Sequence, residues 1–150
     1  MNRKKLSGKI ILVDDEKFEK ELLDMALKDL NIHVGLRYFH RAEDAIHYLK
    51  ITKEDIFIII SDVNMPGMNG LEFKRAIDND EQLKEKAIPF IFSSTSVTRQ
   101  QLIEAYDYRL QGYFIKPPDV KSMASQIELI INYWILSIRP DSELLGRHEI

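Results

Sequence analysis

The residues with chemistry to offer stand at the ends of short apolar runs. Asp14-Asp15 follow Lys9 to Val13, Asp62 closes the run from Ile56, Ser93-Ser94-Thr95 follow Pro89 to Phe92, and Lys116-Pro117 follow Gly112 to Ile115. Three carboxylates brought together repel and raise one another's pKa unless a cation intervenes. Hard oxygen ligands suit Mg²⁺, which takes one or two carboxylates, keeps several waters and accepts phosphate oxygens. A lysine adds a point charge for a phosphoryl group, and a hydroxyl adds a hydrogen bond. Phosphoryl transfer rests on such positioning and charge placement, with a carboxylate as nucleophile if a covalent intermediate forms. Singly, each residue has an ordinary reading. Asp15 suits a helix N-cap, Asp62 a solvated strand end, Lys116 an exposed lysine, and Ser94 and Thr95 a strand cap. One phosphoryl site accounts for all of them together.

These groups meet only if the chain folds so that the runs lie side by side. Five runs rich in β-branched and aromatic residues read as strands: Lys9 to Val13, His33 to Phe39, Ile56 to Ile60, Pro89 to Phe92 and Gly112 to Ile115. Between them apolar residues recur at helical spacing: Phe18, Leu22, Leu23, Met25, Ala26 and Leu30; Ala42, Ala45, Ile46 and Leu49; and Leu71, Phe73, Lys74 and Ile77 suit a third helix. Thr98 is a candidate N-cap for a fourth helix, and a fifth begins after Pro118-Asp119. Five rounds of strand then helix specify an α/β fold with a doubly wound parallel sheet. The flavodoxin-like (βα)5 order 2-1-3-4-5 is the expected topology, and it places ligands beyond the strands' carboxyl ends near strands one and three.

Composition agrees. The chain has 150 residues, no cysteine, a formal net charge of −3 and 45% apolar residues. One domain of this size needs no disulfide to hold its core. The sequence pI near 5.8 speaks against a nucleic-acid binder with a strongly basic surface. The apolar run before Asp14-Asp15 is too short for a signal peptide, and Ile56 to Ile60 is too short to span a bilayer. The expectation is a cytoplasmic protein without membrane or nucleic-acid partners.

Val13-Asp14-Asp15, the loop from Asp62 through Pro66-Gly67 to Asn69-Gly70, Phe92-Ser93-Ser94 and Tyr113-Phe114-Ile115-Lys116-Pro117 together resemble the receiver domain of two-component response regulators. The resemblance covers residues 8–136, leaving 1–7 as an N-terminal arm and 137–150 as a tail. It implies that Asp62 is the phosphoacceptor, that Asp15 binds Mg²⁺ directly and Asp14 through water, and that the Asn64 carbonyl faces the metal. It further implies that Lys116 pairs with the phosphoryl group, that Ser94 and Tyr113 are the switch residues, and that the bond to Pro117 is cis. The implied donor is a sensor histidine kinase or phosphotransfer protein. The protein would assist only its own phosphorylation and dephosphorylation, without being an enzyme.

The loop after Asp62 can also be read without the family: Pro66 fixes φ, while Gly67 and Gly70 permit positive φ in a tight turn. Met65 and Met68 read as packing residues, since thioether sulfur is a poor Mg²⁺ ligand. Asn64, Thr95 and Ser96 border the path of the attacking water in the family, which leaves the dephosphorylation rate open. Ala105-Tyr106-Asp107 and Asn132-Tyr133-Trp134-Ile135-Leu136 resemble small stand-alone regulators partnered with phytochrome-type histidine kinases. The tail is shorter than the roughly 40 residues of an independent domain, so signalling by contact is expected. The fifth helix carries Met123, Ile127, Ile130 and Trp134 on one face and Leu129, Tyr133 and Leu136 on another. A second apolar face suggests a homodimer through the fourth helix, fifth strand and fifth helix, against the alternative of a thick core contact. Two other readings share the fold. One is a constitutive interaction module; the other is an aspartyl phosphatase, for which Asn64 lacks the second acid.

Overall fold

The computed structural model describes residues 4–139. In chain order the elements are β1 (Lys4–Val13), α1 (Lys17–Asp29), β2 (Ile32–Phe39), α2 (Ala42–Ile51), β3 (Ile56–Ser61), α3 (Gly70–Asp78), α4 (Glu81–Glu85), β4 (Phe90–Ser94), α5 (Arg99–Asp107), β5 (Gly112–Ile115) and α6 (Val120–Leu136). The strands form one sheet in the order β2-β1-β3-β4-β5, every pairing parallel.

Strand periodicity explains the unbroken apolar runs. Ile10, Leu12, Ile58, Ile60 and Ile91 face the layer that includes Leu22, Leu23, Ile127 and Ile131, on α1 and α6. Their neighbours Ile11, Val13, Ile59, Phe90 and Phe92 face the other layer, with Ala45, Leu49, Phe73 and Ala105. A strand covered on both sides must be apolar at both phases of its pleat. β3 and β4 are buried along their whole lengths.

Several expectations need correction. β1 begins at Lys4, so residues 4–7 are part of the sheet and not an arm: Lys4 and Lys5 pair with Ile32 and His33, and Leu6 is buried. Gly8, at φ +99°, sits where the register shifts before Lys9; residues 1–3 lie outside the described residues. A sixth helix, α4, follows α3; Asp80 caps it by accepting from Leu83 N, and Leu83 is its buried anchor. In α1 the inward stripe is Glu19, Leu22, Leu23, Ala26 and Leu27. Phe18 and Met25 lie off that stripe and are 60% and 53% exposed. The N-cap of α1 is Glu16, so Asp15 is not its cap.

Thr98 caps α5 in a reciprocal pair with Gln101, and Asp119 caps α6 by accepting from Ser122 N. α6 ends at Leu136. Just beyond it, Arg139 Nη1 donates to the carbonyls of Ile56 and Phe57, at 3.3 and 2.5 Å, which holds the start of the tail against β3; residues 140–150 lie outside the described residues. No helix among the described residues is long and apolar enough to cross a membrane.

Candidate functional site

The backbone fixes the site before its side chains do. Asp14 N donates to Phe39 O (3.1 Å), Asp62 N to Val13 O (2.9 Å) and Lys116 N to Ser94 O (2.8 Å), so parallel pairing carries each strand end to one rim. There Lys116 Nζ lies 2.8 Å from Asp14 Oδ2 and 3.2 Å from Asp62 Oδ2. The other oxygens of the two acids are held by backbone: Asp14 Oδ1 accepts from Glu16 N (2.9 Å) and Asp62 Oδ1 from Val63 N (2.7 Å). Asp14 and Asp62 are only 2% and 6% exposed. Asp15 joins them, with a carboxylate oxygen from each of the three acids within 4.8 Å of the others.

Burial raises the pKa of Asp14, against the pull of Lys116 and the Glu16 amide, and the Asp62 charge pushes the same way. Burial pulls the pKa of Lys116 down, but its hydrogen bonds and ion pairs with Asp14 and Asp62 prevail and raise it above the ordinary lysine value. The site therefore holds a firmly charged ammonium shared by two buried acids, with Asp15 beside them. Negative charge exceeds positive charge there. Three hard oxygen donors converging on one small space fit a divalent cation such as Mg²⁺.

The other expected residues divide. Ser94 is buried at the rim, but its hydroxyl donates to Ser96 O at 3.0 Å and not toward Asp62. The Tyr113 ring packs edge-on against Phe92, 5.7 Å between centroids, and its buried hydroxyl lies beside Ser94. Asn64 is exposed, its side-chain oxygen accepting from Gln101 Nε2 at 3.3 Å. The expected cis bond is corrected: every described peptide is trans, Lys116–Pro117 included. Trans is the favoured isomer of X-Pro bonds by about 0.5–1 kcal/mol. Lys116 Nζ reaches both carboxylates with the bond in that form.

The loop from Asp62 to α3 is tied at both ends. Gly67 has φ +73°, as the turn requires. Asn69 caps α3, exchanging hydrogen bonds with Glu72. Gly70, by contrast, needs no positive φ; it is a helical residue whose value is closeness. A Cβ there would sit 2.4 Å from Asp62 O and 2.9 Å from Phe92 Cε1. Gly70→Ala is therefore expected to cost about 1–3 kcal/mol through overpacking, read as a lower midpoint in thermal or urea denaturation. Wild-type stability in that variant would contradict the close packing.

Two residues at the site escaped the sequence reading. Tyr38, at the end of β2, donates its hydroxyl to Asp14 O at 2.7 Å and steadies the β1 end. Glu19 is 8% exposed on the inner side of α1. Its signal was an acid at core spacing to Leu22, Leu23 and Ala26.

A doubly wound α/β sheet with its polar site at the strand-order switch point is the class that this geometry defines. The chain belongs to the response regulator receiver domain family, whose sequence model matches residues 10–128. It is 30% identical over 123 residues to chemotaxis protein CheY-3 of Vibrio cholerae serotype O1, covering 81% of this chain and 90% of that protein. The chemotaxis protein CheY of Pseudomonas aeruginosa is 32% identical over 123 residues, covering 81% and 94%. Among solved structures, the phosphorylated cyanobacterial phytochrome response regulator RcpA superposes with a TM-score of 0.77 at 24% identity, covering 93% of this chain and 100% of that one. A response regulator in red light signalling of R. palustris gives 0.78 at 22%, covering 89% and 99%. The structural likenesses bear on the fold.

Proposed function

We propose that this receiver domain takes a phosphoryl group onto Asp62 from the phosphohistidine of a sensor kinase or phosphotransfer protein and signals by altered protein contact. The observation that carries this is the Asp14–Lys116–Asp62 constellation, buried yet placed at the carboxyl rim. An Asp62 carboxylate oxygen attacks phosphorus, the P–O bond forms, and the P–N bond to the donor imidazole breaks. Asp14, Asp15, Asp62 and the Asn64 carbonyl would hold Mg²⁺, which when bound offsets the charge gathering on the phosphoryl oxygens. Lys116 exchanges its carboxylate partners for a phosphoryl oxygen. Ser94 gives up Ser96 O to donate to another, and Tyr113 occupies the space behind it. The protein turns over no separate substrate. Phytochrome regulators among the structural neighbours support a phytochrome-type kinase as donor, and contact-based signalling fits a place in the cytoplasm. The test is a phosphotransfer profile against purified histidine kinases with Mg²⁺ and with EDTA. Rapid Mg²⁺-dependent transfer from one kinase is expected; none from any donor contradicts the reading.

Leu102, Ile103 and Tyr106 of α5, Ile115 of β5, and Leu129, Tyr133 and Leu136 of α6 are exposed apolar side chains. We propose that α5, β5 and α6 form a homodimer surface, since a patch of this kind favours association. Light scattering is expected to give twice the chain mass in at least one phosphorylation state; the single-chain mass in both would refute the dimer.

A further inference from the structure

The chain passes from β1 to α1 through Asp14, Asp15 and Glu16, and the first two are acids of the rim. So short a turn leaves the direction of Asp15 to the bonds on its neighbours. Asp14 N donates to Phe39 O (3.1 Å), Asp14 Oδ1 accepts from Glu16 N (2.9 Å), and Asp14 O accepts from the Tyr38 hydroxyl (2.7 Å). That last carbonyl belongs to the peptide joining Asp14 to Asp15. The peptide is planar, so the Tyr38 bond fixes the plane from which both acids project.

The donor stands where the backbone ladder stops. The β1–β2 register ends at Val13 and Phe39, and beyond it the chain turns away toward α2, which begins at Ala42. Tyr38 is half-buried, its ring packed against the core layer of α1 and α6, so the hydroxyl is held by its ring and not by the turn it bonds. Burial pushes its pKa up and the charges of Asp14 and Asp15 add to the rise, which keeps the hydroxyl protonated and donating. Asp62 O also accepts from a hydroxyl, Ser61 Oγ at 2.8 Å, but that donor is its own neighbour on β3. The grip on the Asp14–Asp15 peptide comes from a separate strand. Mg²⁺ demands near-ideal octahedral geometry. A peptide free to rock would spread the Asp15 oxygens over positions that such a shell rejects.

We propose that Tyr38 is a positioning residue of the cation site: through the Asp14–Asp15 peptide it aims the two acids and so sets the affinity for Mg²⁺. The proposal rests on the reading of Asp14, Asp15 and Asp62 as cation ligands. It gives β2, the edge strand that contributes no ligand, control over a site built on β1 and β3.

Calorimetric titration with Mg²⁺ tests it on wild type, Tyr38→Phe, Tyr48→Phe and Asp15→Asn. Phenylalanine keeps the ring and its packing and removes only the hydroxyl. Tyr48 lies in the other core layer and controls for loss of a phenol hydroxyl as such. Tyr38→Phe is expected to weaken Mg²⁺ binding roughly tenfold, as for other groups that orient a metal ligand, and Tyr48→Phe to leave it unchanged. Without metal, Tyr38→Phe is expected to melt about 2–4 °C below wild type, the effect of one hydrogen bond in a domain of this size. Its Mg²⁺-induced rise in melting temperature is smaller than that of wild type, because the ion binds more weakly. A lowered metal-free melting temperature with Mg²⁺ affinity in place marks a merely structural hydroxyl and overturns the proposal, as does an equal loss of affinity in Tyr48→Phe. Unchanged affinity in Tyr38→Phe with a clear loss in Asp15→Asn overturns this proposal alone. Unchanged affinity in both, or no binding by wild type, overturns the cation reading with it.

Discussion

Asp62→Asn protein incubated with acetyl phosphate and Mg²⁺ takes up no phosphoryl group, whereas wild type takes up one, counted by intact-mass spectrometry. The substitution removes the nucleophile and little else. The Asn side-chain oxygen still accepts from Val63 N in place of Asp62 Oδ1, and Lys116 keeps Asp14 as its closer partner at 2.8 Å. Its fold is therefore retained, with a melting temperature near that of wild type. Asp14 cannot substitute as acceptor: it is more deeply buried than Asp62, with one oxygen on Lys116 and the other on Glu16 N. A phosphoryl group on Asp14 or Asp15 of the variant would show that Asp62 is not the acceptor.

Lys116→Met has the second large effect, and its sign depends on metal. The Lys116 side chain is 5% exposed, and its carboxylate partners Asp14 and Asp62 are 2% and 8% exposed at the side chain. Removing the only cation from such a group leaves two buried acids facing each other, which costs about 3–5 kcal/mol when a buried pair is broken. In EDTA the variant is therefore expected to unfold at much lower temperature or denaturant than wild type. Mg²⁺ supplies the missing charge without a competing ammonium, so it should bind the variant more tightly and raise its midpoint further. A variant as stable as wild type in EDTA, or one that Mg²⁺ does not rescue, would mean that Lys116 is not the counter-charge of this site.

Much of this site could be read from residue order because parallel pairing turns strand ends into neighbours. Asp14 and Asp62 each follow a strand buried on both faces, whose apolar signature is unbroken, and Lys116 follows the short edge strand β5, so their meeting follows from topology. What was not legible lacked such a signature. The first half of β1 contains Lys4, Lys5, Ser7 and Gly8, a polar stretch that becomes strand only because β2 offers it a ladder. The five residues of α4 hold one apolar anchor, Leu83, too few for any period. Gly70 carries no mark that separates a residue chosen for closeness from one chosen for positive φ; the difference lies in Asp62 O, which the fold brings to it. Phe18 and Met25 fitted a helical stripe by spacing, but α1 turns Glu19 inward in their place. An acid in a core stripe looks like an error in the pattern until the rim it faces is known.

The central claim is that phosphorylation of Asp62 is transmitted by rearranging Lys116 and Ser94. A crystal structure of the protein with beryllofluoride and Mg²⁺ tests it most directly. The predicted result is an adduct on Asp62, with Lys116 Nζ moved from Asp14 Oδ2 to the adduct and the Ser94 hydroxyl turned from Ser96 O toward it. An adduct on another residue, or one on Asp62 that leaves Lys116 on Asp14 and Ser94 on Ser96, would contradict it.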